Sequence, residues 1–455
     1  MNRHHREPPA AETLSRWIGG LEASDLPATV VDTTIDTVID TLGLAFAARE
    51  TDYVSALLES WTADGPCTVI GSQVTRDAGS AAMINGTAAH GEDFDNTFEG
   101  CPVHPGSVVV PAVLAVAEAQ RLSGSDALRG MAVGQELMCR LGLAVQKGVH
   151  AAGFHPTAVL GAMGATAAVA AATCMTPQAT ANALGIAGSM ASGIIEYLAD
   201  GSWTKRMHAG WAAQSGLRAA AMGRSGFKGP ATVFEGEHGL LRAFAPSVEP
   251  NPAAVTADLG ARWESARLAL KPHACGTMTQ PFVDCAVELA NRGIRAADIV
   301  ELKCFVGEGT VHRLWEPLEL KRKPPSAYAA KFSTPYCIAA GFLRGGAGLA
   351  EFSDEAIRDP DLISLAERVH YEIDPDDEYP YNYSGRIRAT LADGRVVEAV
   401  QPHLRGGARE PLGREELRRK CAANLAYAGA DPESADAVTE FAEGLAAAAG
   451  VEVPQ

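Results

Sequence analysis

The apolar residues over 10–248 recur mostly at helical spacing, and a stretch of that length can hide its apolar stripes only by building a body of many helices. Ile35, Val38, Ile39, Leu42 and Phe46 show the pattern most clearly, following i, i+3, i+4, i+7 and i+11, with Asp32 and Thr33 placed to cap the helix. Two later stretches, 134–144 and 156–172, repeat small residues at the same spacing, as in Gly164, Ala168 and Ala172. Small residues let helix axes approach closely, so a tight all-α bundle is expected.

The texture changes after Pro250-Asn251-Pro252. Residues 268–270 and 299–306 read as strands with a helix over 282–290 between them. Ile387, Ala389 and Leu391 then alternate with polar residues, and Asp393-Gly394 supplies a two-residue turn into a partner strand over 395–400. After Gly406-Gly407 the chain becomes helical again, over 415–428 and 433–449. A helical tail behind an α/β insert packs most economically on the first bundle. The expected fold is therefore a large all-α bundle domain, 10–264 with 402–455, and a smaller α/β (α+β) domain over 265–401. Residues 1–9, which carry charges and prolines where a signal peptide would be apolar, are expected to be a loose tail.

Composition narrows the function. With 47% hydrophobic and 20% charged residues, the chain has the balance of a soluble globular protein. Against 38 basic side chains stand 55 acidic ones, a net charge of -17, and such a surface repels phosphate backbones and anionic lipid. Neither nucleic acid nor a membrane is an expected partner. An anionic substrate would have to be gripped by cations gathered locally. The nine cysteines are odd in number and dispersed, with no CxxC pair, which suits reduced core thiols in a cytoplasm and offers neither a zinc ribbon nor an iron–sulfur pattern. The long small and apolar run over 157–175 is rich in Ala, Gly and Thr, and reads as a buried soluble helix.

Several segments could carry chemistry. On a continuing helix, Asp93 and Thr97 would sit one turn apart on one face, just before His104, which lies between Pro102 and Pro105. Together they would present an acid–base group at a helix end; a capping Asp and a surface His are the competing reading. A metal held by His90, Asp93 and Asp95 is disfavoured, because the three would not share a helical face. His155 directly precedes Pro156, a residue suited to the first helical position, so it could help to bind an anion at a helix N-terminus or be an ordinary loop histidine. Lys205 and His208, at i and i+3, would put two cationic or proton-shuttling groups on one face, or form a basic turn facing water. Lys271, with His273 and Cys275, follows a strand and precedes a helix, where α/β folds commonly place working side chains. Lys331 to Tyr336 is a second polar interruption of an apolar run.

Taken in order, these segments resemble the MmgE/PrpD family of 2-methylcitrate dehydratases, cis-aconitate decarboxylases and iminodisuccinate epimerases. The likeness runs through Asp40-Thr-Leu-Gly43, Asn85-Gly86 with His90-Gly-Glu-Asp93-Phe-Asp95, His104-Pro-Gly106, Gly153-Phe-His155-Pro-Thr157, Lys205 with His208-Ala-Gly210, Glu235-Gly236, Lys271-Pro, Lys331-Phe-Ser333 with Tyr336, and Pro411-Leu412. The resemblance implies a helical domain built from both chain ends, a smaller α/β lid, a homodimer, and an active site in the cleft between the domains. By motif position it implies catalytic roles for Asp93, His104, Lys271 and Tyr336. Substrate contacts would come from Thr97, His155, Lys205, His208 and Gln280. It further implies a cofactor-independent lyase, dehydratase or decarboxylase, on a small di- or tricarboxylate, with no metal.

In that comparison His104 is the main proton-transfer group, and Lys205 and Lys271 hold carboxylates. Two positions depart from the family pattern: Asn96, where a second Asp is frequent, and Gln280, where a His is frequent. A neutral Gln is neither a cation nor a base, so a preference for fewer carboxylates is expected. An isomerase that epimerises a carbon next to a carboxylate uses the same proton abstraction and is the alternative. A non-catalytic helical scaffold is the alternative from another class.

Overall fold

The computed structural model describes residues 8–454. Most of the expected tail, residues 1–7, lies outside the described residues. The chain forms two compact units, the first made of the chain through Gly91, Asp95–Leu268 and Leu417 onward, the second of Glu92–Phe94 with Ala269–Glu416.

The first unit is helical. Its main helices are α1 Ala10–Gly20, α2 Ala28–Ala47, α3 Asp52–Ser60, α4 Ala78–Gly91, α5 Gly106–Gln120, α6 Gly124–Val145, α7 Gly148–Ala151, α8 Pro156–Ala172, α9 Pro177–Met190 and α10 Thr204–Arg224. The stripe from Ile35 to Phe46 is buried as expected, but α2 begins at Ala28, so Asp32 and Thr33 lie inside it and do not cap it. The apolar face reaches back to Val30, and the helix starts where Pro27 ends the preceding loop.

α8 is buried along its whole length, with α6 and α10 packed on it. Glycine permits this closeness: a Cβ on Gly130 or Gly134 of α6 would come within 2.6 Å of Ala172 or Ala168 of α8. α4 and α10 cross tighter still, since a Cβ on Gly210 would collide with the Met83 carbonyl and one on Gly86 would lie 2.8 Å from the Gly210 Cα. Among the described residues no helix is long and apolar enough to cross a membrane.

Buried polar groups fasten the less regular parts. In α6 Arg140 donates to Glu136 at 2.5 Å and to the carbonyls of Ala257 and Arg262 at 2.5 and 2.7 Å, while Glu136 accepts from the Ser265 N–H at 2.8 Å. The coil after Pro252 is thereby bonded to α6. Asn85 of α4 accepts from the Ile70 N–H and donates to the Thr68 carbonyl, gripping the hairpin of Cys67–Thr68 and Thr75–Arg76. The C-terminal helices return to α2 as expected. Lys420 pairs with buried Asp40 at 2.6 Å, and a Cβ on Gly43 would lie 3.0 Å from the Cys421 Sγ, which accounts for the Asp40 to Gly43 motif.

The second unit holds a four-stranded sheet in the order Val369–Ile373, Ile299–Val306, Gly385–Leu391, Val396–Gln401. The first pair is parallel and the others antiparallel, with Leu302 opposite Val369, Lys303 opposite Arg388, and Arg388 opposite Glu398. Helix Gln280–Asn291 packs against the last two strands. A hairpin forms at Asp393-Gly394, but its loop is the three residues Ala392, Asp393 and Gly394 rather than the expected two, because the Leu391 N–H donates to the Arg395 carbonyl and only Gly394 of the three has a positive φ, 85°. Strand Val369–Ile373 was not anticipated. Its unit extends to Glu416, past the expected end at 401, because the Asn382 amide donates to the Pro402 carbonyl and the Leu270 N–H to the Gly406 carbonyl, both at 2.9 Å.

All nine thiols are free. Eight are buried, and burial pushes Cys67, Cys101, Cys285 and Cys421 up to about 12. Cys174, in the turn after α8, is exposed and is the exception to the core-thiol expectation.

Candidate active site

In the helical unit four imidazoles gather at the ends of buried helices. His90 lies in the last turn of α4, and His104 immediately precedes Pro105, the residue that opens α5. His155 caps α8 with Pro156 in the first helical position, as expected, and its N–H donates to the Gly193 carbonyl at 2.8 Å. His208 sits one turn after Lys205 on α10, and both are buried rather than turned to water. The backbone contact at Gly86 and Gly210 is what lets α4 and α10 bring their ends together. Ring centroids of His90 stand 5.1 Å from His104 and 5.5 Å from His155, the latter nearly parallel, and His155 stands 5.3 Å from His208.

The hydrogen bonds fix several proton positions. His104 Nδ1 lies 2.7 Å from the Asn96 carbonyl, which can only accept, so Nδ1 carries a proton and Nε2 is the basic nitrogen of the neutral ring. His90 Nδ1 lies 2.8 Å from Asp95 Oδ2. His155 and His208 face each other through their Nδ1 atoms at 3.2 Å, a bond that needs one Nδ1 protonated and the other bare. At least one of the two rings is therefore neutral. Burial pushes His155 well below the ordinary histidine range, with the nearby His90, Lys205, His208 and His104 acting in the same direction. Burial first, then His90 and Lys205, bring His208 down to about 4. Of the two readings of His208, cationic or proton-shuttling, the cationic one is thus corrected: at neutral pH His155 and His208 are uncharged donor–acceptor groups beside the ammonium of Lys205.

Asn96 has a constructional part. Its amide accepts from the Gly106 N–H at 2.9 Å and donates to the Thr37 hydroxyl at 3.2 Å, joining the loop to α5 and α2. The helix expected to carry Asp93 and Thr97 on one face is corrected as well. α4 stops at Gly91, Asp93 takes a left-handed backbone with φ 57° that Asp tolerates, and Thr97 lies buried in the short strand Thr97–Phe98.

In the second unit two adjacent acidic residues each hold a buried lysine. Lys271 donates to the Asp93 carbonyl at 2.7 Å and its Oδ1 at 3.1 Å; Lys331 donates to the Glu92 carbonyl at 2.9 Å and stands 3.1 Å from its carboxylate. The left-handed turn at Asp93 suits an arrangement in which main chain and side chain meet one ammonium. Lys331 also lies over the Phe352 ring at 4.9 Å.

Two candidates are placed otherwise than expected. The Tyr336 hydroxyl donates to the Glu351 carbonyl at 2.6 Å, and burial pushes its phenol well up, so it is a fixed neutral donor to backbone. The wholly buried Gln280 accepts from the His273 N–H at 3.0 Å and donates to the carbonyls of His273 and Cys275 at 2.7 and 2.9 Å. Its amide shapes the loop after Lys271 and is not offered to a ligand.

The sequence candidates thus fall into two groups: His104, His155, Lys205 and His208 in the helical unit, Asp93 and Lys271 in the other. Sequence reading missed Glu92 and Lys331 as partners, and it weighed His90 and Asp95 only as metal ligands. Their five-residue separation was the available signal, because it bridges a helix end and a loop. Among the described residues no group of three or more His, Cys, Asp or Glu side chains is placed to hold a metal ion. His90 and Asp95 bond each other, and Asp93 bonds Lys271.

The MmgE/PrpD N-terminal domain matches residues 12–253, and the MmgE/PrpD C-terminal domain matches residues 273–442. The chain belongs to the MmgE/PrpD family. It is 28% identical over 437 residues to the cis-aconitate decarboxylase of Aspergillus terreus, covering 90% of this chain and 87% of that one. It is also 28% identical over 428 residues to the cis-aconitate decarboxylase of Homo sapiens, covering 91% and 87%. A cis-aconitate decarboxylase-like protein of Aspergillus oryzae is 27% identical over 432 residues, covering 90% and 88%.

Proposed function

We propose that the protein is a cofactor-independent lyase that removes carbon dioxide from a small polycarboxylate of the cis-aconitate type by acid–base proton transfer. The observation that carries the reading is the cluster of four buried imidazoles beside a buried lysine. Loss of carbon dioxide leaves an electron pair on carbon, and a protonated group must deliver a proton there. Dehydration, the related reaction, needs a base for the proton next to a carboxylate and an acid for the departing hydroxyl. A neutral imidazole offers a donor at one nitrogen and an acceptor at the other, so the cluster is equipped for both.

His104, with Nε2 as its basic nitrogen, is assigned the main proton transfer. Lys205 is assigned a substrate carboxylate, as a charge-assisted contact. In the other unit Lys271, its ammonium held by Asp93, is assigned carboxylate binding from its place in the family motif. The similarity to cis-aconitate decarboxylases across nine-tenths of the chain supports the substrate class. A homodimer belongs to the same reading and is supported by the exposed Ile194, Leu198 and Trp203; light scattering on the purified protein tests it.

The test of function is incubation with cis-aconitate, citrate, 2-methylcitrate and iminodisuccinate in deuterated water, followed by NMR and carbon dioxide release. Carbon dioxide from cis-aconitate, with one solvent deuteron in the product, is expected. Deuterium entering recovered substrate with inversion and no new alkene would make the protein an isomerase. Absence of both turnover and binding would leave a scaffold.

A further inference from the structure

Asp95 is wholly buried and lies between two of the imidazoles. Its Oδ2 is 2.8 Å from His90 Nδ1, and its Oδ1 is 3.7 Å from His104 Nδ1. The second distance is too long for a hydrogen bond, but an ionised carboxylate there still attracts positive charge on the ring, and strongly in so dry a place. His104 does not need Asp95 to set its tautomer, since the Asn96 carbonyl does that. His90 does, because Asp95 is the partner of its Nδ1, while its Nε2 is buried and has no hydrogen-bond partner among the described residues. An imidazole whose Nδ1–H is held by a carboxylate and whose Nε2 is bare has the form of a general base.

We infer that Asp95 is the positioning carboxylate of the histidine cluster, keeping His90 as the Nδ1–H tautomer with a basic Nε2 and stabilising the imidazolium that forms when His90 or His104 accepts a proton. In the decarboxylation proposed above the C–C bond breaks, carbon dioxide leaves, and the electron pair left on carbon takes the Nε2 proton of that imidazolium, after which the neutral ring regains a proton from water. Among the groups near the two rings are Asp95 and the Asn96 carbonyl from the connecting loop, His155 from the start of α8, and His208 from α10. Asp95 brings negative charge to the proton-accepting rings, and Lys205 brings positive charge to the neighbouring His155 and His208. The effect on turnover rests on the lyase reading above; the effect on the His90 tautomer does not.

The experiment uses the full chain with Asp95→Ala and Asp95→Asn. Nitrogen-15 imidazole spectra of the ligand-free proteins should show His90 as a single Nδ1–H tautomer in the wild type and as a mixture in Asp95→Ala, with His104 keeping its tautomer in both. On the substrate that the wild type turns over, kcat should fall by about 10² to 10⁴-fold with KM within about threefold. The alkaline limb of kcat/KM, where the proton-donating imidazolium is lost, should move to lower pH, because that imidazolium has lost its counter-charge.

Added formate should restore part of kcat in Asp95→Ala, where it has a cavity to enter, and not in Asp95→Asn. If Asp95→Ala does not fold, the isosteric Asp95→Asn carries the kinetic and pH measurements, because it removes the charge and keeps the volume. An unchanged His90 tautomer in Asp95→Ala, or a kcat within threefold of wild type in either variant, overturns the inference. A wild type inert toward every polycarboxylate removes the lyase reading and leaves the tautomer spectra to judge Asp95.

Discussion

Replacing His208 with Gln should make the protein less sensitive to acid. The folded protein holds this ring neutral down to about pH 4, whereas the ordinary histidine value is 6.5. Below pH 6.5 the unfolded chain therefore binds a proton that the folded chain refuses, and stability falls as pH falls through that window. The contribution is complete above 6.5 and gone by about 4. Two and a half units at about 1.4 kcal/mol each give a loss of about 3.5 kcal/mol from this one residue. His155 is pushed in the same direction and steepens the fall. A Gln at 208 still offers His155 a donor and an acceptor but never becomes charged. Urea unfolding followed by circular dichroism between pH 7 and 4.5 measures the effect: the wild type should lose about 2 to 3 kcal/mol more than His208→Gln over that range. Parallel pH dependences in the two proteins, or a His208 ring that titrates near 6.5 by NMR, would refute the reasoning.

Arg140→Ala leaves Glu136 as an uncompensated buried charge and should cost about 3 to 5 kcal/mol. Hydrogen exchange should quicken most over residues 254–265, whose carbonyls and amides this pair holds. Gly210→Ala drives a methyl into the Met83 carbonyl and should destabilise by about 1 to 3 kcal/mol, whereas Gly413→Ala, with nothing within 4 Å of the new carbon, should stay within about 0.5 kcal/mol in the same melting experiment. Gln280→His breaks the bonds that shape the loop 273–275 and should lower the melting temperature while leaving the ratio of kcat/KM for dicarboxylate and tricarboxylate substrates unchanged; a tenfold shift in that ratio would return Gln280 to the ligand.

The helical unit was legible because its signal is periodic and continuous. The stripe from Ile35 to Phe46, the Gly and Ala spacing of α8, and Pro156 after His155 each state their local structure directly. The Asp393-Gly394 hairpin was legible for the same reason, since turn chemistry and alternation agree there. Strand Val369–Ile373 was not, because an edge strand with exposed His370 and Glu372 has almost no buried face to reveal it. At the site, the sequence pointed to His104, His155, Lys205, His208 and Lys271 but not to their protonation or partners. His208 reads equally as a cation or a proton shuttle until its Nδ1 is found facing that of His155, and Gln280 looks like a ligand-facing residue until its amide is found bonded to its own loop. Such facts depend on which groups the tertiary packing brings together and dries. Composition and spacing carry little of that information.

The ion pair of Asp40 with Lys420 has a consequence for how the protein is made. Asp40 leaves the ribosome early, and its counter-ion follows roughly 380 residues later, about 20 to 75 seconds at ordinary rates of synthesis. Throughout that interval α2 carries a carboxylate designed for the dry interior and an apolar slot, at Gly43, awaiting Cys421. The nascent helices can gather before then, but α2 cannot be sealed, and an ionised Asp40 keeps that surface wet until the last helices arrive. A chain stalled or cleaved before Lys420 should accordingly be bound by chaperones or degraded, and Asp40→Asn should lengthen the survival of such fragments while weakening the finished protein.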